Sequence, residues 1–327
     1  MTQLIQLIQE ALAFGTVILF GAIGELLTEK SGNLNLGTPG IMYLGGIAGL
    51  VGAFFYEAAA GAAASPVMGV LISLVCAFVV AGLGGLIYSF LTISLRANQN
   101  VTGLTLTIFG SGVANFLGGS LNKLAGGVGQ ISIAVTSSGY RAATGLENLG
   151  FVGNILFSYG FLVYLAIVIA IVASFFLNRT RAGLNLRSVG ENPGTADAAG
   201  ISVAKNKYLA TCIGAGVSGL GGLFYVMDYT KGTWANDGGI ERLGWLAVAL
   251  VIFATWKPVK AIWGSYLFGV LFWMYLYIPG LTRSSQELFK MLPYVVTIIV
   301  LIVVSIRKKR ENNPPESLGL AYFREER

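Results

Sequence analysis

Two groups of residues in this chain are spaced for chemistry, and neither is a catalytic set. The first is a scatter of amides at the edges of apolar runs. Asn33 and Asn35 lie in Glu29-Lys30-Ser31-Gly32-Asn33-Leu34-Asn35-Leu36-Gly37-Thr38-Pro39-Gly40, and Asn98, Gln99 and Asn100 lie in Arg96-Ala97-Asn98-Gln99-Asn100-Val101-Thr102-Gly103. Glycines and a proline so close to an apolar run predict a broken or late-starting helix. Irregular backbone at membrane depth is tolerated only where protein or a water-filled cavity covers it. Asn33 and Asn35 are therefore candidates for lining a solute path, as in transporters built on discontinuous helices; an ordinary capped turn is the alternative. Asn98, Gln99 and Asn100 either cap the next helix or point into the same path. The second group is the polar stretch Asn178–Val203. Arg179, Arg181 and Arg187, suited to anchoring the chain at the lipid surface, lead into Glu191-Asn192-Pro193-Gly194-Thr195-Ala196-Asp197-Ala198-Ala199-Gly200. Asn192 is a good N-cap, Pro193 fits the first helical position, and Gly200 can end the helix in the left-handed conformation. The result is a short helix of small residues with Thr195 and Asp197 as its polar side chains, a shape another protein can grip.

What the chain lacks narrows the chemistry further. It has no histidine, and Cys76 and Cys212 both sit in apolar runs, where cysteine behaves as a small hydrophobe. Zinc, haem and iron–sulfur sites are discarded on that ground, as is a disulfide. No GxxxxGK[ST] occurs, so no P-loop cradles ATP phosphates. Intramembrane proteolysis through a carboxylate pair needs two acids at depth, and Glu25 and Asp228 are placed near the membrane edges. Ion-coupled carriers commonly keep ionisable residues in the membrane for the coupling ion. These absences suit a chain that moves a neutral polar solute with energy supplied from elsewhere. The classes left are a pore subunit driven by an external motor and a passive channel, with an intramembrane enzyme a distant third. A passive channel has no need of a grippable polar helix, which favours the first.

These residues need a membrane scaffold to position them. The 327 residues are 55% hydrophobic and only 11% charged, with a mean hydropathy of +0.73. Soluble domains carry roughly 25% charged residues, so the expectation is an all-α polytopic membrane protein. Charge-free intervals mark six comfortable spans, such as the 26 residues between Lys30 and Glu57 and the 31 between Glu147 and Arg179. Three are short: 14 residues between Glu10 and Glu25, 14 between Arg242 and Lys257, and 16 between Lys290 and Arg307. Together they predict about nine transmembrane helices, within a range of eight to ten. Met1–Glu10 has no basic leader, so the first span is expected to be retained, preceded by a surface-lying amphipathic start. With the basic run Arg307–Arg310 placed in the cytoplasm, alternation through nine spans puts 15 of the 21 Lys and Arg residues on that side, obeying the positive-inside rule. Topology thus accounts for the net charge of +6 without nucleic acid. Residues 1–310 form the transmembrane domain, with a cytoplasmic segment at 178–206; residues 311–327 form a cytoplasmic tail, irregular or a peripheral helix. The outer loop Ser120–Gly150 carries a short strand or a re-entrant helix. Glycines such as Gly45, Gly49, Gly219 and Gly222 are expected to let helices approach closely.

Read together, these stretches resemble the permease subunits of ATP-binding-cassette importers, in the branched-chain amino acid/ribose/nucleoside permease family. The resemblance covers nearly the whole chain. It rests on Glu29-Lys30-Ser31-Gly32 with Asn33–Gly37, Leu95–Gln99 with Thr102-Gly103, Thr180–Gly183, and Arg187–Pro193 followed by Ala196–Gly200. The chain is most similar to the nucleoside and simple-sugar branch, with the branched-chain amino acid branch as the alternative. It departs from that branch at Pro39, where relatives commonly carry a glutamate. The resemblance implies a pair with a second, usually different permease, a cytoplasmic ATPase holding ATP and Mg, and an extracytoplasmic solute-binding lipoprotein. It also implies the plasma membrane of a prokaryote, no cofactor on this chain, and a coupling helix at Glu191–Gly200 seated in the ATPase, with Asp197 facing a basic partner.

Overall fold

In lipid every backbone polar group has to be satisfied within the protein, and helices do this segment by segment. The structure, a computed structural model, describes residues 2–124, 131–140, 153, 158–278, 280–307 and 313–323. The described residues are helical almost throughout, with one isolated antiparallel bridge, Ser132 to Thr233. In chain order the helices are α1 (Thr2–Glu29), α2 (Thr38–Ala60), α3 (Pro66–Ser89), α4 (Gln99–Leu124), α5 (Ala134–Tyr140), α6 (Phe161–Arg179), α7 (Arg181–Glu191), α8 (Pro193–Ala198), α9 (Val203–Phe224), α10 (Gly239–Phe253), α11 (Pro258–Trp273), α12 (Arg283–Lys290) and α13 (Leu292–Arg307). α3 and α9 each run on through a π-helical turn, Phe90–Ser94 and Tyr225–Tyr229.

Eight helical runs are long and apolar enough to cross a membrane. α10, at the ninth interval expected from the charges, has only 15 residues, about 22 Å of rise. Its first residue meets the Tyr225 ring at one end of the bundle, and Trp256, just past its last turn, meets Glu29 at the other. It can be short because it is internal: Leu243, Leu246, Ala247, Leu250 and Val251 are all buried, against α1 and α2. α1, α2, α9 and α10 form the centre of the bundle, whereas α3 turns Leu71, Val75, Val79 and Leu83 outward, an apolar face at helical spacing. The central contact depends on missing side chains. A Cβ on Gly45 would overlap the backbone of Gly219, and one on Gly222 would overlap the carbonyl of Met42.

Two sequence expectations change and a third is narrowed. The amphipathic start is no separate surface segment but the first turns of a single 28-residue α1, which has no proline to break it. The outer loop carries a single bridge and then α5, whose Gly139 packs on Pro66 and whose Thr136 amide donates to Glu57 at 2.7 Å; its residues 125–130 and 141–150 lie outside the described residues. The described part of the tail is irregular, the first of the two forms expected, and it is not loose. Residues 313–323 fold back over the end of the bundle that carries α7 and α8, called the cassette face below.

Candidate coupling face and solute path

The segment 178–206 folds as two helices with a break between them. Thr180 caps α7, its hydroxyl accepting from the Gly183 amide at 3.0 Å. α7 buries Gly183, Leu186, Val189 and Gly190 and exposes Arg181, Ala182 and Leu184. Pro193 forces the break, since the residue before a proline is pushed to extended backbone, and Asn192 sits at φ −148°. Asn192 then caps α8, its side-chain oxygen accepting from the Thr195 amide at 2.9 Å. Pro193 occupies the first turn, and Gly200 ends the element at φ +81°. Each of these three local assignments agrees with the sequence expectation. Glu191, by contrast, closes α7 instead of opening α8.

Within the cassette two residues are not where a fully exposed grip would put them. Ala196 is 3% exposed and packs with Val189 and Val203, flanked by Ile201 and Tyr322. Its role is to seat α8 on α7 and α9. Asp197 is half-buried and accepts from the Tyr322 hydroxyl at 2.9 Å, a partner from the chain's own tail. Glu191, Asn192, Thr195, Ala198, Ala199 and Gly200 are exposed, with Pro193 half-buried.

The first amide stretch behaves as irregular backbone inside protein, and α2 indeed starts late, at Thr38. Asn33 is fully buried and donates to the Thr211 hydroxyl of α9 at 3.2 Å, while its own oxygen has no partner among the described residues. The Asn35 side chain accepts from the Gly37 amide at 2.9 Å, and the Asn35 backbone amide donates to Glu25 at 3.1 Å. Gln99 is buried and accepts from the Leu34 amide at 2.7 Å, and Tyr88 donates to the Leu34 carbonyl. Asn98 and Asn100 do not join this cluster. Both are exposed, and Asn98 caps α4 by accepting from the Val101 amide at 3.1 Å. Pro39, at the departure from the sugar and nucleoside pattern, packs against Gly244 of α10.

Asn33 and Gln99 line a cavity of about 310 Å³ that Thr92, Arg96, Lys207, Asp197 and Tyr322 complete. The cavity therefore joins both amide stretches to α8. Two buried ionisable residues carried no sequence signal. Lys207 is buried in the first turns of α9 rather than standing in the aqueous cassette. Glu25, expected at the membrane edge, is 1% exposed inside the bundle, where it accepts from the Thr38 hydroxyl and the Asn35 amide. Glu29, one turn on, accepts from the Trp256 indole. The tail closes the face: Ser317 donates through its amide and hydroxyl to the Gly190 carbonyl at 3.0 and 2.5 Å, Gly319 donates to Gly32 at 3.3 Å, and the Arg96 guanidinium lies 3.6 Å from the Phe323 ring centre.

A multi-pass helical bundle with a polar short helix at one end and an amide-lined cavity behind it defines a transport subunit. The chain belongs to the permease component family of branched-chain amino acid transport systems, whose model matches residues 7–301. It is 32% identical to a putative glucose ABC transporter permease protein of Haloferax volcanii, over 95% of both chains. It is likewise 32% identical to the nucleoside ABC transporter permease protein NupC of Lactococcus lactis subsp. cremoris, over 90% of both. The guanosine ABC transporter permease protein NupQ of Bacillus subtilis is 30% identical, over 98% of this chain and 97% of its own. No solved structure matches. The chain is thus an ABC transporter permease subunit, a membrane transport component and not an enzyme.

Proposed function

We propose that this chain forms half of the translocation path of an ATP-driven importer for nucleosides, with simple sugars as the second substrate class. The other half is a second permease, and a solute-binding protein delivers the substrate from outside. ATP and Mg bind a separate cytoplasmic ATPase, which grips the exposed side of the cassette, namely Glu191, Asn192, Thr195, Ala198, Ala199 and Gly200. The observation that carries this reading is the fastening of α8 to the amide cluster. Ala196 seats α8 on Val203 at the start of α9, and α9 holds Asn33 through Thr211. On the other side, Gly190 is joined to Gly32 through Ser317 and Gly319. A pull on α8 is thereby delivered to Asn33 from both flanks. Such a linkage shifts a two-state equilibrium only if the ATPase binds the two states with different affinity, and ATP-dependent closure supplies that difference. The unpartnered oxygen of Asn33, a residue that lines the cavity, suits a neutral polar solute with hydroxyl or amide donors.

The test is Ala198→Arg in proteoliposomes holding the full transporter. A charged, long side chain on the exposed face of α8 leaves insertion unchanged, and ATP hydrolysis continues while nucleoside uptake falls at least tenfold. Uptake at the unaltered rate would refute the assignment of α8 as the coupling contact. Competition by unlabelled nucleosides and sugars against labelled uptake ranks the two substrate classes.

A further inference from the structure

A second cavity on the cassette face, of about 700 Å³, lies between the end of α6, α7 and the start of α11. Its charge is lopsided. Lys30, Arg187, Lys257 and Lys260 line it, against a single lining carboxylate, Glu191. Lys260 donates to Thr255 at 3.0 Å. The Arg187 Nε is buried with no hydrogen-bond partner among the described residues. Burial lowers the pKa of the Lys30 amine; Glu191 and Glu29 oppose that shift, and the neighbouring cations Arg187 and Lys257 add to it. Four cations held so close, one of them with an unsatisfied donor, form a site that an anion would relieve.

The position of the cavity says which anion. Its walls include Asn178, at the last turn of the α6 span, and Pro258, at the first residue of the α11 span. That is the depth at which spans meet lipid headgroups. Its rim is apolar and bare: Leu184 and Val259 line it while exposed, and Trp263, one turn along α11 from Val259, is 76% exposed. A soluble anion has no use for that rim, and an acyl chain does. Basic pockets between transmembrane helices on the cytoplasmic side are suited to anionic headgroups, and guanidinium to phosphate in particular.

We propose that this pocket binds the phosphate of one anionic phospholipid headgroup per chain, with its acyl chains lying along Val259 and Trp263. The site is separate from the solute path, and the proposal stands whichever solute is carried.

The test is a lipid titration of the purified full chain in detergent, read by native mass spectrometry, with phosphatidylglycerol and phosphatidylcholine as probes. One phosphatidylglycerol binds per chain in preference to phosphatidylcholine. A basic residue near an anionic headgroup contributes about fivefold in affinity, so Arg187→Gln weakens binding about fivefold, and Arg187→Gln with Lys260→Gln more than tenfold. Lys260 is exposed, so its replacement leaves the fold intact, and Lys123→Gln, at the far end of α4, changes nothing. Equal binding of both lipids, or no response to either variant, overturns the proposal. So does displacement of phosphatidylglycerol by inorganic phosphate at equal concentration, which would make the ligand a free anion. Loss of the bound lipid when the ATPase is assembled would overturn it too, by making the pocket a socket for the ATPase's acidic side chains.

Discussion

Tyr322 and Asp197 lie 125 positions apart and meet through one hydrogen bond, a polar tether for α8 beside the packing of Ala196. A hydrogen bond to a charged acceptor contributes about 1.5–3 kcal/mol, and partial exposure of Asp197 lowers that. Tyr322→Phe keeps the ring packed on Ala196 and removes only the hydroxyl. We expect insertion and ATP hydrolysis to persist while uptake per ATP falls about threefold, roughly 0.65 kcal/mol and below that range because Asp197 is partly exposed. An unchanged ratio of uptake to hydrolysis would leave Tyr322 with packing alone. The contrast with Asn192, Pro193 and Gly200 shows what the sequence can disclose. Capping, proline placement and a left-handed glycine are settled by residues within three positions, so all three were legible. The partners of Asp197, Asn33 and Glu25 are set by how distant segments pack, and no local pattern carries them. Asn98 and Asn100 show the same limit from the other side: their type fits a path, but the turn onto α4 faces them outward.

At the scale of the helices, most of the bundle was legible because lipid tolerates few charges, so charged residues mark span ends directly. The eight long, apolar helical runs follow from that spacing. What it missed was placement: the short interval between Arg242 and Lys257 is short because α10 is surrounded by other helices and needs only to pass between them. Burial of Glu25 has the same cause, since a carboxyl group can sit inside a bundle when neighbouring groups, here Thr38 and the Asn35 amide, take its hydrogen bonds. The glycines of α2 and α9 make a quantitative test. Gly222→Leu drives a side chain into the Met42 carbonyl, where backbone on both sides leaves nothing flexible to yield. Overpacking typically costs about 1–3 kcal/mol, and this site should lie at the upper end, with a clear drop in the thermal unfolding midpoint in detergent. Gly112→Leu in α4 meets open space and should leave the midpoint unchanged. Equal midpoints for the two variants would mean that the α2–α9 contact is not the tight one.

For the molecule as a whole, the tail does what no single helix does. The three polar stretches are separated by 55 (41–95) and then 74 (104–177) positions of chain, yet residues 317–323 touch all of them: Gly32 and Gly190 through the 317–319 turn, Asp197 through Tyr322, and Arg96 through Phe323. Arg96 itself stands at φ +55°, a left-handed conformation that a non-glycine residue keeps only when its surroundings hold it. Without the strap, α8 stays seated by Ala196 but loses its second tether to the Gly32–Asn33 turn. Deletion of residues 316–327 is therefore predicted to leave a chain that inserts and pairs, because none of the spans is shortened. ATP hydrolysis should continue while uptake per ATP falls by more than the threefold expected for Tyr322→Phe, since Ser317, Gly319 and Phe323 are lost with it. Adding Ser317→Ala to Tyr322→Phe should land between the two. The measurement is the ratio of solute taken up to ATP hydrolysed in proteoliposomes containing the complete transporter. If the deletion gives the unaltered ratio, force reaches Asn33 through α9 alone and the strap is only a cover for the cassette face; if it gives the full loss seen with Ala198→Arg, the strap is as much a part of the coupling device as α8.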